Sequence, residues 1–174
     1  MKYFVKFFVV TFFFLICTHS FAEQKIVVLD LTYVLNQSKA GKGAQDFLKK
    51  TFEDNQKKFS NMENTLKKEE TDLLAKKNIL SKEEFEKKMN ALRKKNMDYQ
   101  TERRSSIDKI AALRSKARNT LLEKLKPIIE TYIKDNNVSL VVDKKYILGG
   151  GNNYDVTNVI VEKLNKDLPS LNLK

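Results

Sequence analysis

The chain has 174 residues, of which 33 are basic and 22 acidic, for a formal net charge of +11. It holds one Cys, one His, no Trp, two Pro and five Gly. That length suits one domain of ordinary size. Cys17 and His19 both lie within the first 22 residues. Everything after them lacks the thiol and imidazole that serve most often as nucleophile, general base or zinc ligand, and no disulfide forms there.

Residues 1–22 read as a cleavable secretory signal. Lys2 and Lys6 precede an eleven-residue apolar run, residues 7–17, and Ser20 and Ala22 stand at the −3 and −1 positions of a cut after Ala22. The run is short of the ~20 residues of a membrane span, which disfavours an uncleaved anchor. A lipoprotein reading is weaker still, because bulky Ile16 precedes Cys17. The chain is therefore expected to be exported. The mature chain, residues 23–174, keeps 31 basic and 22 acidic residues, a net +9.

Residues 23–46 open with KIVVLD (residues 25–30), a β-branched run expected as a buried strand. A short helix over residues 31–37 and a loop at SKAGKG (residues 38–43) follow. Residues 47–126 contain no Gly and no Pro, and carry 22 basic and 13 acidic residues. The whole +9 sits on this segment; the remainder is neutral. Without breakers it must be long helix. Ser81 and Glu84 form a capping box, so a turn at residues 77–81 splits it into antiparallel helices over 43–76 and 82–126.

A heptad seam runs through Phe52, Phe59, Met62, Leu66, Leu73 and Leu80 in the first helix, and Phe85, Met89, Leu92 and Tyr99 in the second. It is interrupted at Asn55, Glu69 and Lys76, then at Asn96, Arg103 and Ser106. A stable two-stranded coiled coil keeps both core positions apolar, so these arms should bend and splay.

In residues 127–174, Pro127 should end or kink the long helix near Lys126. VSLVVD (residues 138–143) is a second strand and residues 146–148 a third. Gly149–Gly151 make a turn. Asp155 opens a last helix with Val159, Ile160 and Leu164 on one face. Tyr33, Tyr132, Tyr146 and Tyr154 are read as core. The fold class is mainly α with a small β core (α+β): residues 47–126 form a hairpin arm, and residues 23–46 with 127–174 form a short-stranded oligomerisation core. So few strands leave unpaired edges, and several copies are expected to build one core.

The order of these segments resembles the Skp/OmpH family of periplasmic chaperones. The specific parts are LVVD (residues 140–143) and DVTNVIVEKLNK (residues 155–166). TDLLAKK (residues 71–77) and the pair Arg103-Arg104 support it. The resemblance implies a homotrimer with helical arms around a cavity. It implies a holdase that works without ATP on unfolded outer-membrane proteins and has no catalytic residues. It also places a lipopolysaccharide or other anionic ligand at Arg93, Arg103 and Arg104, where a solvated basic face is the plainer alternative.

Phe52, Phe59, Met62, Phe85 and Met89 are the candidates for contact with clients. Packing between the two arm helices is the favoured reading, since all five fall on the seam. Gly149–Gly151 is no phosphate loop, because no Gly-Lys-Ser/Thr follows. Asp30, Asp143 and Asp155 lack the spacing of a calcium loop. No metal and no cofactor are expected. Two other functions compete: an envelope adaptor using the hairpin as a docking rod, and a binder of anionic surfaces. Nucleic acid is excluded as a partner, since the arm offers no interleaved aromatics for stacking bases.

Overall fold

The computed structural model describes residues 24–173; the signal read in residues 1–22 lies outside the described residues. β1 (Lys25–Leu29) and β2 (Val138–Asp143) pair in parallel as a two-stranded sheet. Ile26 faces Leu140, Val27 faces Val141 and Val28 faces Val142, with an irregularity between Lys25 and Ile26. Parallel strands require a crossover connection. Here the crossover is the entire middle of the chain: α1 (Leu31–Gln37), α2 (Lys39–Ala75) and α3 (Lys82–Asp135). Two 3-10 turns, Lys144–Tyr146 and Asn152–Tyr154, then lead to α4 (Thr157–Asp167). On the free edge of β1, the Val156 N–H donates to the Val28 carbonyl at 2.9 Å.

The body has its own core. Val27 and Leu29 are the inward side chains of β1. They meet Val34 and Leu35 of α1, Leu121, Leu125 and Ile128 of α3, and Ile160 and Leu164 of α4. The spacings 121/125/128 and 160/164 put each set on one helix face. Fully burying such an aliphatic side chain contributes about 1.5–3 kcal/mol. These side chains pack as a core within one chain.

α2 and α3 are about 55 Å and 80 Å long at 1.5 Å per residue. They run antiparallel as a hairpin. The Ser81 Oγ accepts from the Glu84 N–H at 3.2 Å, and the Glu84 carboxylate accepts from the Ser81 N–H at 3.3 Å. That reciprocal cap supplies partners for two of the free N–H groups at the start of α3.

Four details depart from the sequence reading. SKAGKG is not a loop. Ser38 caps α2, its Oγ accepting from the Gly41 N–H at 3.1 Å. A Cβ on Gly41 would overlap the Leu35 carbonyl oxygen, so this Gly serves a close helix–helix corner. Pro127 neither ends α3 nor opens a new element: the helix continues to Asp135. Leu125 and Ile128 are buried on either side of it, and that packing outweighs the ~3 kcal/mol that Pro costs a helix interior. Residues 146–148 form no strand. The Asp143 carboxylate instead accepts from the Lys145 N–H and turns the chain into a 3-10 helix. Tyr33, Tyr146 and Tyr154 are exposed, at 45%, 76% and 50%, because they lie outside the shell that closes over β1 and α4. Tyr132 alone of the four packs on the core.

Candidate functional site

The functional candidates lie along the hairpin, so its seam decides what they do. Phe59 and Tyr99 lock it. Their rings meet edge to face, with centroids 6.1 Å apart at 67°, and both are buried. Leu73 is buried nearer the tip, and Met62, Leu66, Phe85, Met89 and Leu92 are half-buried. Charged pairs flank these contacts. Lys58 binds Glu102, and the Lys95 ammonium lies 2.7 Å from Glu69, each pair crossing from one helix to the other. Within α2, Lys67 binds Glu63 at 2.8 Å and holds that carboxyl below its usual range, with Arg103 adding to the effect.

Among the five apolar candidates, Phe59 is thus inside the seam, and Met62, Phe85 and Met89 sit between the helices with part of each side chain open. Phe52 differs, at 56% exposed. Beside it stands Ile107, 57% exposed, which the heptad stepping passes over in favour of Ser106 and Ile110. The signal for Ile107 was available: it is an apolar residue on a charged helix, one position off the seam.

Where the seam residues become small or polar, the helices leave space between them. A cavity of about 260 Å³ lies at mid-arm, lined by Phe52, Asn55, Phe59, Tyr99, Arg103, Ser106, Ile107 and Ile110 among others. A second, of about 730 Å³, lies at the root of the arm between Ala44, Leu48 and Phe52 on one side and Ile110, Arg114, Ala117, Arg118 and Leu121 on the other. Phe52 and Ile110 border both. Asn55, Arg103 and Ser106, three of the interruptions read in the sequence, are thus among the residues around the mid-arm opening.

The three arginine candidates are not brought together. Arg103 borders the mid-arm cavity. Arg104 faces a shallow outer depression with Thr101, Ser105 and Asp108. Arg93 donates to the Asn90 side chain at 3.3 Å. Arg93 and Arg104 are eleven residues apart and so share a face about 16 Å long, while Arg103 is turned from it.

In the body, Asp30 accepts from the Tyr33 N–H at 2.7 Å and caps α1. Asp143 accepts from Lys145 N–H, and Asp155 from the Thr157 N–H at 2.9 Å and the Lys144 ammonium at 2.7 Å. All three carboxylates are engaged in turns and caps. Among the described residues no group of three or more acidic or other ligating side chains is placed to hold a metal ion. No helix among them is long and apolar enough to cross a membrane.

A long basic hairpin rising from a small parallel two-stranded body defines the class of protein. Residues 25–164 match the family described as outer membrane protein (OmpH-like), and the chain belongs to that family. The chain is 26% identical over 170 residues to a Skp-like protein of Pseudomonas aeruginosa, covering 95% of this chain and 99% of that one. A crystal structure from Caulobacter crescentus, described as a candidate OmpH-like outer membrane chaperone, superposes with a TM-score of 0.79 at 19% identity over 88% of this chain and 91% of the other. The likeness to that structure establishes the fold: a mainly helical chain with a small sheet.

Proposed function

We propose that this protein is a non-catalytic periplasmic holdase, which binds unfolded outer-membrane proteins without ATP and keeps them from aggregating. The observation that carries the reading is the arm. Exposed Phe52, Met97 and Ile107 stand on it among many lysines and arginines, and no other part of the described residues covers them. Barrel strands are apolar on one face and aggregate in water. Many weak apolar contacts on a solvated basic surface would shield them, and the positive charge would speed capture of acidic chains. The family and the Skp-like relative support the same role. The sequence contains no Gly-x-x-x-x-Gly-Lys-Ser/Thr loop for ATP. Residues 1–22, read as a signal, and the family support the periplasm.

The working form in this proposal is a homotrimer whose arms surround the client. Ile26 and Leu140 lie side by side across the sheet, 42% and 52% exposed, with Tyr146 and Leu148 more exposed nearby in sequence. Apolar surface of this kind on a small body suits burial against further copies. The five seam candidates then divide: Phe52 is the main client contact, Met62, Phe85 and Met89 offer edges, and Phe59 acts through the seam.

The test is suppression of aggregation of an urea-unfolded barrel protein on dilution, with native mass measured on the same sample. A trimer that keeps an equimolar client soluble, with no nucleotide present, is the expected result. A stable monomer, or a trimer that leaves aggregation unchanged, would refute the proposal. A subordinate reading is lipopolysaccharide phosphate along the Arg93–Arg104 face, supported by their shared orientation. Salt-sensitive binding of lipopolysaccharide that disappears in an Arg93→Ala/Arg104→Ala double variant is its expected signature.

A further inference from the structure

The two arm cavities are contiguous, and that continuity has a use. They meet at Phe52 and Ile110 and form one trough on the flank of the hairpin. Its lining runs on α2 from Gly41 to Glu63, a span of about 33 Å at 1.5 Å per residue. An extended chain rises about 3.3 Å per residue, so the trough matches about ten residues of extended polypeptide. The 260 Å³ end lies below the ~300–1,000 Å³ usual for small-molecule pockets. It suits one large side chain better than a compact ligand.

The lining chooses the chemistry further. Phe52, Ile107 and Ile110 supply apolar wall at intervals, and the first two are more than half exposed. Arg103, Arg114 and Arg118 stand beside them, with Lys49; the acidic residues in the lining are Asp46 and Glu63. Glu63 is already bound by Lys67. The trough is therefore apolar along its wall and net positive.

We propose that this trough is a built binding groove for one extended segment of an unfolded chain, about ten residues long, with apolar side chains at alternate positions and acidic residues between them. In an extended segment successive side chains point to opposite sides. The apolar set would face Phe52 and Ile107, leaving the acidic set toward the arginines and solvent. This deepens the holdase reading and rests on it. It differs from a diffuse cage wall by predicting saturable binding of a short peptide at a defined place.

The experiment uses the full mature protein and a fluorescein-labelled peptide of about ten residues with alternating Leu/Phe and Asp/Glu. Two control peptides carry the same composition in block order, or Lys in place of the acids. Saturable binding of the alternating acidic peptide, with both controls weaker, is expected. Phe52→Ala and Ile107→Ala should each weaken it about fivefold or more. Both residues are exposed, so the fold should survive their loss. Ser106→Leu, which fills the trough from inside the seam, should block the peptide while the protein's thermal stability is kept or raised. Aggregation suppression is measured in parallel. If the barrel client stays soluble but the peptide binds all variants equally, or not at all, the groove is overturned and the holdase reading stands. If wild-type protein neither binds the peptide nor protects the client, both fall. A photo-crosslinker at Phe52 that joins only a second copy of the chain, never the peptide, also overturns the groove.

Discussion

Asp155 is the residue that ties the last third of the chain to the first strand. Its neighbour Val156 donates to Val28, and its carboxylate accepts from Thr157 and Lys144. Partial burial raises its pKa, but the bonds from Lys144 and Thr157 prevail and hold it below the ordinary 3.8. Its folded value is thus lower than its unfolded one. The stabilisation is complete above pH 3.8 and fades as the pH falls further, through the folded value. Lys144 is shifted the opposite way, upward from 10.5, by the same carboxylate, so its contribution holds below 10.5 and fades as the pH rises through the folded value. Asp155→Asn should lower stability by about 1 kcal/mol at neutral pH and flatten the acid limb of a melting-temperature profile. An acid limb unchanged in that variant would remove Asp155 from the account. Gly41 offers a second test. The atom that a methyl group would strike is backbone, the Leu35 carbonyl, so relief requires the α1–α2 corner to move. Gly41→Ala should cost about 1–3 kcal/mol, read by chemical unfolding, although Ala is ordinarily the better helix former.

For the helices, magnitudes separate the seam from its fringe. Lys58–Glu102 and Lys95–Glu69 link the arms, but their side chains are about half exposed. Exposed pairs contribute about 0.2–1 kcal/mol. The buried Phe59–Tyr99 contact is worth more, since truncating a buried aromatic costs up to about 3–5 kcal/mol. Phe59→Ala should therefore speed amide exchange in the arm on both sides of Tyr99 and leave the body around Leu125 and Ile160 protected, while Lys95→Ala changes little. Exchange that rises equally in arm and body would show the two to be one cooperative unit. The legible parts of these elements were local. The capping box at Ser81 and Glu84, the KIVVL and VSLVVD strands, and the seam interruptions at Arg103 and Ser106 all follow from neighbours a few residues away. What escaped was tertiary. Pro127 stays helical because of Leu125 and Ile128 packing on the core. Gly41 is needed because α1 folds back beside it. Residues 146–148 looked like strand by their side chains, yet the Asp143 cap folds Lys144–Tyr146 into a 3-10 helix. Ile107 mattered only once Phe52 was seen beside it.

Across the whole molecule, body and arm differ in what they bury and in charge. The body closes its own core and leaves Ile26 and Leu140 outward on the sheet. Burying a new charge there would be costly. In the trimer proposal, Leu140→Asp should give a monomer by native mass, with helix content by circular dichroism nearly unchanged and client protection lost. A variant that still forms trimers would place the contact between copies elsewhere. The arm carries the entire charge excess, and the body is neutral. High salt should therefore weaken client capture more than it weakens assembly.

The parallel pairing of β1 with β2 also sets a clock. The 108 residues from Asp30 to Asn137 separate the two strands in sequence. At about 5–20 residues per second, β1 leaves the ribosome roughly 5–20 s before its partner strand exists. Until then KIVVL is a bare apolar segment, the kind of sequence the finished protein is proposed to hold. If the chain is exported as proposed, it meets folded copies only after crossing the membrane, and there they could cover KIVVL until VSLVVD pairs with it.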